Sequence, residues 1–181
     1  SWGCTPEEGC DGRTLAIAVT HLRHAGQMFV VSAGNDGPAC STVWAPASAD
    51  DGFSVGASTQ DDTIAPFSSR GPVTVDDSGR LKPDVVAPGV GVRSSVPGWW
   101  YGLKSGTSMA TPHVAGLAAL MLQADPSLSV DQIETVIKET ALPLGNPIPN
   151  NDYGWGRVDA YAAVASVADN GTILGVVTRT G

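Results

Sequence analysis

Ser108 stands at the start of a predicted buried helix, where a hydroxyl group can do chemistry. The stretch from Met109 to Leu122 is almost entirely apolar and rich in small residues, a composition typical of a helix packed against protein on every side. The first turn of a helix presents backbone N–H groups and positive partial charge, which together can stabilise a developing oxyanion. Serine is also a favoured N-cap residue. Position alone therefore leaves two interpretations open, a helix cap and a nucleophile.

Asn35 is the second candidate, and it follows a short apolar run. Met28 to Val31 predicts a buried parallel strand, and residues 32–37 predict the loop at its carboxyl end. Active-site groups collect at the carboxyl ends of strands in open α/β sheets. The string Asn-Asp-Gly is equally typical of a turn. Residue type by itself therefore leaves the role of Asn35 open.

Five short strings, in their order along the chain, resemble the subtilisin-like serine peptidases (subtilases). They are VSAGN at 31–35, FSSRGP at 67–72, KPDVVAPG at 82–89, SGTSMATPHVAG at 105–116 and YGWG at 153–156. The resemblance implies an α/β fold, a three-layer αβα domain with a mostly parallel sheet, of which this chain is the C-terminal part. Residues 1–168 would belong to that domain and 169–181 would form a tail. The resemblance also implies that Ser108 is the nucleophile and that Asn35 donates its side-chain amide to the oxyanion.

The resemblance further implies where a peptide substrate binds. Two segments match those that wall the first specificity pocket of the family and bind an extended peptide as an added strand; they are Ser1, Trp2 and Gly3, and Ser32, Ala33 and Gly34. The loop 41–46 aligns with the pocket floor, where Trp44 departs from the small residue that leaves room. The indole of Trp44 either fills the pocket and favours small substrate side chains or turns outward, and we favour the first.

The family's other two catalytic groups are missing from the sequence. A serine hydroxyl needs a base to accept its proton and a carboxylate to orient that base, but neither the D-[ST]-G nor the H-G-T-H string of subtilases occurs here. His113 is expected to project into the packing on another side of the helix, and His21 and His24 are expected on a solvated surface. We therefore expect a half-domain that is a very weak hydrolase, or none, when isolated.

Composition narrows the classes of partner. The net charge of −8 argues against nucleic acid, whose binding depends on Lys and Arg, and no apolar run is long enough to span a membrane. A secreted enzyme acting on peptide or protein substrates is expected, with a separate N-terminal half-domain as a further partner. Without that half, an apolar surface and a strand edge would be left uncovered. We therefore expect a homo-oligomer whose contact covers them. No cofactor or metal is expected: Asp50–Asp51 and Asp61–Asp62 could bind calcium but lack its ligand pattern.

Cysteines and aromatic residues give two structural expectations. The chain has three cysteines, and a disulfide between Cys40 and either Cys4 or Cys10 would leave one thiol free. A protein that is exported to an oxidising environment can keep such a disulfide. Residues 99–101, Trp-Trp-Tyr, predict core or hairpin packing because aromatic side chains favour strands.

The order of apolar and polar residues predicts the helices and strands. Three functions remain open. Helices are predicted at about 14–25, 107–123, 130–137 (capped by Ser129) and 159–167, strands at 28–31, 53–57, 84–87 and 172–178, and a hairpin at 92–104. The last strand is expected to pair with a sheet edge. The favoured function is a serine endopeptidase half-domain. The alternatives are a non-catalytic subtilase remnant that binds peptides, and a promiscuous esterase that uses Ser108.

Overall fold

The computed structural model describes residues 3–11 and 13–168. Ser1, Trp2 and the predicted strand at 172–178 lie outside this part of the chain. The helices are α1 (Ala16–His24), α2 (Thr107–Ala124), α3 (Val130–Glu139) and α4 (Ala160–Val167), and the strands are β1 (Val30–Ser32), β2 (Phe53–Ser58), β3 (Val85–Pro88), β4 (Val92–Val96) and β5 (Trp100–Lys104). The predicted elements within the described residues are therefore present, with bounds shifted by a few residues.

A parallel sheet of three strands, in the order β1-β2-β3, forms the centre of the fold. Val30 pairs with Phe53 and Val55 pairs with Val85. Every residue of the central strand β2 is buried, as expected where both faces of a parallel sheet are covered. In the described residues the free edge of β1 has no neighbouring strand. The α/β prediction with a mostly parallel sheet is confirmed.

The main core joins the sheet to α2, α3 and α4. Its fully buried large side chains include Phe53, Val55, Val85, Val114, Met121 and Ile137. Helix α3 contributes Ile133 and Ile137 from one face. The predicted capping box is present, since Ser129 Oγ accepts from the Gln132 N–H and the Gln132 side chain accepts from the Ser129 N–H. A smaller cluster around Val31 and Val43 forms separately from this core.

Helix α2 is buried on one side only, which corrects the expectation of a helix enclosed all round. Val114, Leu117 and Met121 face the core, whereas Leu120 is 50% exposed and Leu122 is 40% exposed. The sequence could not reveal this asymmetry because α2 is apolar around its whole circumference. Its outer side is an apolar surface in the described part of the protein.

The aromatic run 99–101 lies at the tip of an antiparallel hairpin, where β4 pairs with β5. Trp99 is fully exposed, Trp100 is 75% exposed and Tyr101 is 66% exposed. The expectation of core or hairpin packing is therefore met by its hairpin alternative, because Trp100 and Tyr101 pair within the hairpin and are not part of the core. Tyr101 does have a contact within the hairpin, since the guanidinium carbon of Arg93 lies 4.6 Å from the centroid of its ring.

A buried charge cluster ties β3 to the rest of the core. Lys82 Nζ donates to Asp84 Oδ2 at 2.7 Å and to the Gly52 carbonyl at 2.6 Å. Lys138 of α3 lies 3.1 Å from Asp84 Oδ1, and the Ser54 N–H donates to Asp84 Oδ2 at 2.8 Å. Burial alone would raise the pKa of the Asp84 carboxyl, but the charges of Lys82 and Lys138 and these hydrogen bonds hold its pKa below the usual range.

We predict that Asp84→Asn lowers the free energy of unfolding by about 3–5 kcal/mol at pH 7. The variant leaves the buried Lys82 ammonium and the half-buried Lys138 ammonium without their counter-charge. A lowered pKa in the folded state adds stability above the unfolded-state pKa of about 4. That stability is lost as the pH falls through the folded-state pKa. The wild type should therefore lose stability in this acidic range, and the variant should lose less.

Urea denaturation at a series of pH values measures both effects. Asp77→Asn removes a carboxylate from an exposed residue and serves as the control of equal charge change. Equal stability of the Asp84 and Asp77 variants at pH 7 would contradict the importance of the buried cluster.

Candidate active site

Ser108 lies in the first turn of α2, and the loop before it is held to the end of the sheet. The Gly106 N–H donates to the Gly89 carbonyl at 2.8 Å, and the Met109 N–H donates to the Gly106 carbonyl at 3.0 Å. Gly106 has a φ of 150°, a conformation that side chains disfavour. A glycine here therefore lets the chain turn sharply from the hairpin into the helix and brings Ser108 to the helix mouth.

The side-chain amide of Asn35 is oriented by Thr107. The Thr107 N–H donates to Asn35 Oδ1 at 2.9 Å, and the Thr107 hydroxyl donates to the same oxygen at 3.0 Å. Because a backbone N–H can only donate, its partner must be the amide oxygen and not the amide nitrogen. The NH₂ group of Asn35 consequently faces away from Thr107. Sequence reasoning missed Thr107, whose fully buried side chain also accepts from the Gly34 N–H at 3.3 Å.

A cavity of about 250 Å³ is lined by both Asn35 and Ser108. The structure brings together here seven of the residues that sequence reasoning placed at the site: Gly3, Ser32, Ala33, Gly34, Asn35, Trp44 and Ser108. The two remaining residues, Ser1 and Trp2, lie outside the described part. The half-buried Trp44 lines the cavity. The cavity therefore joins the loop after β1, the loop 41–46 and the mouth of α2.

Four further residues line the cavity: Cys4, Thr5, Asp36 and Ala45. Ala45 belongs to the loop 41–46 that the family resemblance assigned to the pocket floor, whereas the other three were not found from the sequence. The Cys4 N–H donates to the Ala45 carbonyl at 2.9 Å, so the segment near the start of the chain is joined directly to the loop 41–46. Asp36 follows the predicted Asn35 immediately, and a turn interpretation of Asn-Asp-Gly concealed its position. No residue-type signal marked Cys4 or Thr5 as lining residues.

The disulfide joins Cys4 to Cys10, and Cys40 is an exposed free thiol. The prediction that Cys40 pairs with Cys4 or Cys10 is therefore wrong. The chain turns back on itself between the bonded cysteines, where the Glu8 and Cys10 N–H groups both donate to the Thr5 carbonyl. This local turn brings the two Cα atoms to 5.7 Å, a normal separation for a disulfide.

None of the histidines lines the cavity beside Ser108. His113 is exposed, and its Nδ1 lies 2.9 Å from the Met109 carbonyl oxygen. It lines a separate cavity of about 390 Å³ together with Asp62 and Arg157. The expectation that His113 projects into the packing is wrong, because this part of α2 faces outward. His21 and His24 lie on α1 and are exposed, as expected.

The aspartate pairs considered for calcium are largely engaged by cations or hydroxyl groups. Asp50 lies 3.7 Å from Arg80, Asp51 accepts from Thr20, and Asp62 accepts from Arg157. Across 3–11 and 13–168, no group of three or more His, Cys, Asp or Glu side chains is placed to hold a metal ion. In those same ranges no helix has the length and apolarity to cross a membrane.

The site thus brings together a serine at a helix mouth, an asparagine amide oriented by Thr107 and a cavity at the carboxyl end of a parallel sheet. A sequence model of the subtilase family matches residues 1–156. The chain therefore belongs to the subtilase family, whose members are serine peptidases.

Curated relatives agree with this family. The chain is 46% identical over 129 residues to bacillopeptidase F of Bacillus subtilis (strain 168), covering 68% of this chain and 9% of that protein. It is 43% identical over 150 residues to alkaline elastase YaB of Bacillus sp. (strain YaB), covering 83% of this chain and 36% of that protein. It is also 43% identical over 150 residues to subtilisin BL of Lederbergia lenta, covering 83% and 51%. The chain thus spans about half of these relatives' length or less.

We predict that iodoacetamide labels Cys40 alone in the unreduced protein, because Cys4 and Cys10 are bonded to each other. Proteolytic mapping by mass spectrometry without reductant should recover residues 4 and 10 in a disulfide. Cys40→Ser is the matched control and should leave that species unchanged. A disulfide that contains Cys40 in freshly purified protein would contradict this pairing.

Proposed function

We propose that this chain is the nucleophile-bearing part of a serine endopeptidase. Ser108 is the nucleophile, and Asn35 donates its side-chain N–H to the tetrahedral oxyanion. The observation that carries the proposal is the pair of hydrogen bonds from Thr107 to Asn35 Oδ1, because they hold the donor NH₂ in one orientation before substrate arrives. A preorganised donor of this kind is worth more than a mobile one, since little reorganisation is needed during the reaction.

The chemistry is acyl transfer. Ser108 Oγ forms a bond to the substrate carbonyl carbon, and the carbonyl oxygen takes the negative charge, which the Asn35 amide and the N-terminal end of α2 stabilise. The hydroxyl proton must pass to a base, which later returns it to the leaving amine. No histidine lines the described cavity, so this part of the chain supplies the nucleophile and the oxyanion donor. We accordingly expect weak hydrolysis, or none, until a separate N-terminal half-domain supplies the base and its carboxylate.

Peptide binding would use the walls of the cavity. Gly3 on one side and Ser32, Ala33 and Gly34 on the other would offer backbone groups to an extended peptide. The cavity between them would take the substrate side chain that precedes the cleaved bond, and Trp44 would limit its size. The Cys4–Cys10 disulfide and the net charge of −8 support a location of the protein outside the cell. The proposal assigns no nucleic acid, membrane, cofactor or calcium role.

Two other functions use the same groups. A peptide-binding remnant would keep the walls of the cavity without catalysis, and the absence of a histidine from the described lining residues favours it over a self-sufficient enzyme. An esterase acting on activated esters would use Ser108 and Asn35 with less need for a base. Reaction at Ser108 separates both peptidase and esterase from the remnant, and peptide hydrolysis in the presence of the first half separates peptidase from esterase.

The decisive prediction concerns covalent labelling by a fluorophosphonate. We expect slow labelling of the isolated chain, faster labelling after a candidate N-terminal half is added, and no labelling of Ser108→Ala. Asn35→Leu should slow peptide hydrolysis by the reconstituted protein by about 10²–10³-fold, a magnitude carried over from subtilisin's own oxyanion asparagine. Mass spectrometry locates the label, and steady-state kinetics measures the rate.

Two variants serve as controls. Ser105→Ala removes an exposed neighbouring hydroxyl, which accepts from the Gly91 N–H, and should still be labelled at Ser108. His113→Gln should keep both labelling and stability, because that imidazole is exposed and lines the other cavity. Labelling that persists in Ser108→Ala, or disappears in His113→Gln, would contradict the assigned roles.

We further propose that another chain covers the outer side of α2 and the open edge of β1. Leu120 and Leu122 of α2 are half-exposed, and β1 has no outer neighbour among the described strands. Apolar surface contributes roughly 25 cal/mol per Å² when removed from water, and unpaired strand edges favour pairing with another chain. A separate N-terminal half would cover this surface, and in its absence a second copy of the chain would do so.

Light scattering at micromolar concentration tests this assembly. We expect the isolated chain to be a homo-oligomer and expect Leu120→Asp to shift it towards monomer, because the charge would be buried in the contact. Leu103→Asp is the control, since Leu103 is also exposed but lies on the hairpin. A stable, well-folded wild-type monomer would overturn the proposed homo-oligomer.

A further inference from the structure

We propose that the β4–β5 hairpin docks the protein on a lipid bilayer that contains anionic headgroups, with Trp99, Trp100 and Tyr101 entering the headgroup region. This docking goes beyond the function proposed above, which uses no membrane. Three features of the described residues carry it: the exposure of these aromatic side chains, their arrangement around the hairpin, and the charge of the hairpin.

The hairpin presents apolar surface that no other described element covers. Strands β4 and β5 form a sheet of their own, and no other helix or strand of the described ranges packs extensively against them. Trp99, Trp100 and Tyr101 are all exposed, and Leu103 is 69% exposed. Large aromatic side chains present roughly 150–250 Å² each, so three of them match or exceed the roughly 300–600 Å² of the largest apolar patch on a typical monomer. A patch of this size marks an interaction surface.

The aromatic side chains point in different directions, which favours a fluid surface over a folded partner. Trp100 and Tyr101 are adjacent in β5, so they point to opposite faces of the ribbon. Trp99 precedes them in the turn, where its φ is 66°. A rigid protein surface would cover one face of this ribbon and leave the other in water. The headgroup region of a bilayer surrounds an inserted tip on every side, and Trp and Tyr are enriched there.

The hairpin is cationic in an acidic protein. Residues 92–104 include Arg93 and Lys104 and no Asp or Glu, whereas the whole chain has 18 acidic and 10 basic residues. The guanidinium carbon of Arg93 lies 4.6 Å from the centroid of the Tyr101 ring, so it would meet lipid phosphates once the tip enters the headgroup region. Charges elsewhere on the protein are screened beyond a Debye length of about 8 Å at physiological ionic strength. The tip therefore attracts an anionic surface although the chain as a whole is negative.

The same residues argue against a carbohydrate ligand, which also stacks on aromatic rings. A bound sugar is oriented by polar side chains that are placed to pair with its hydroxyl groups. Residues 92–104 contain no Asp, Glu, Asn or Gln, so the hairpin lacks the carboxylate and amide groups for that purpose. A bilayer asks for less: apolar surface at the tip and cations behind it.

Co-sedimentation with sucrose-loaded vesicles tests the docking on the chain as it is, at physiological ionic strength. One set of vesicles is pure phosphatidylcholine, and the other contains equal parts of phosphatidylcholine and phosphatidylglycerol. We expect the wild type to bind the mixed vesicles at least about fivefold more tightly, the effect of one cation near an anionic surface. Lipids brominated on their acyl chains should quench part of its tryptophan emission, because the tip indoles would lie against those chains.

Two variants of the hairpin separate the apolar and the charged contributions. The double variant Trp99→Ala/Trp100→Ala should bind at least about tenfold more weakly and lose the quenching, since it removes apolar surface that the bilayer buries. Arg93→Gln should bind the mixed vesicles about fivefold more weakly and the pure phosphatidylcholine vesicles as the wild type does. The matched controls are Tyr161→Ala, 81% exposed on α4, and Arg13→Gln, an exposed cation outside the hairpin; both should bind like the wild type.

Thermal melting establishes that each variant is folded, as expected for changes at exposed side chains. The docking is overturned by a wild type that binds neither kind of vesicle, or by binding that survives in the double variant. Equal binding of the wild type and Arg93→Gln to both kinds of vesicle would also overturn it. A double variant that loses the homo-oligomer in light scattering, with no vesicle binding by the wild type, would make the hairpin a contact between copies and not a membrane site.

Discussion

The packing of one face of α2 on the parallel sheet is the constraint on which the site depends. Val114 and Met121 are fully buried against strands β2 and β3, and each such side chain contributes about 1.5–3 kcal/mol through removal from water. This contact fixes the height and direction of the helix over the carboxyl ends of the strands. Ser108, at the mouth of the helix, is therefore positioned by apolar side chains that lie up to several helical turns away.

Polar contacts complete at the helix mouth what the apolar packing begins. Thr107 bonds to Asn35 and Gly34, which belong to the loop after β1, and Gly106 bonds to Gly89 at the end of β3. The segment before Ser108 is therefore fixed to two strands that are not neighbours in the sheet. A shift of either strand would move the Asn35 amide relative to Ser108, so the register of the sheet sets the separation of these two residues.

The sequence predicted the parts of the fold that have a local signal. The capping box at Ser129, the hairpin turn and the apolar strand runs were all identified because each follows from residues adjacent in the chain. The orientation of α2 was not, since a helix that is apolar all round carries no mark of its buried face. The Cys4–Cys10 disulfide was missed because a short local turn brings these two cysteines together. The pattern of apolar residues does not show that turn. Thr107 was overlooked because its importance arises only from its hydrogen bonds to Asn35 and Gly34, which are distant along the chain.

The cavity beside Ser108 is assembled from four stretches, around residues 4, 34, 44 and 108, of which the last is more than sixty residues from the others. Contacts of such separation form late in folding, because loop-closure entropy must be overcome first. No isolated segment of the chain can hold even a partial version of this cavity. A ligand that occupies it therefore binds the native state alone, and at 100 times its dissociation constant it would stabilise that state by about 2.7 kcal/mol. Occupancy of the cavity thus reports the integrity of the whole domain, and the melting temperature becomes a measure of ligand affinity.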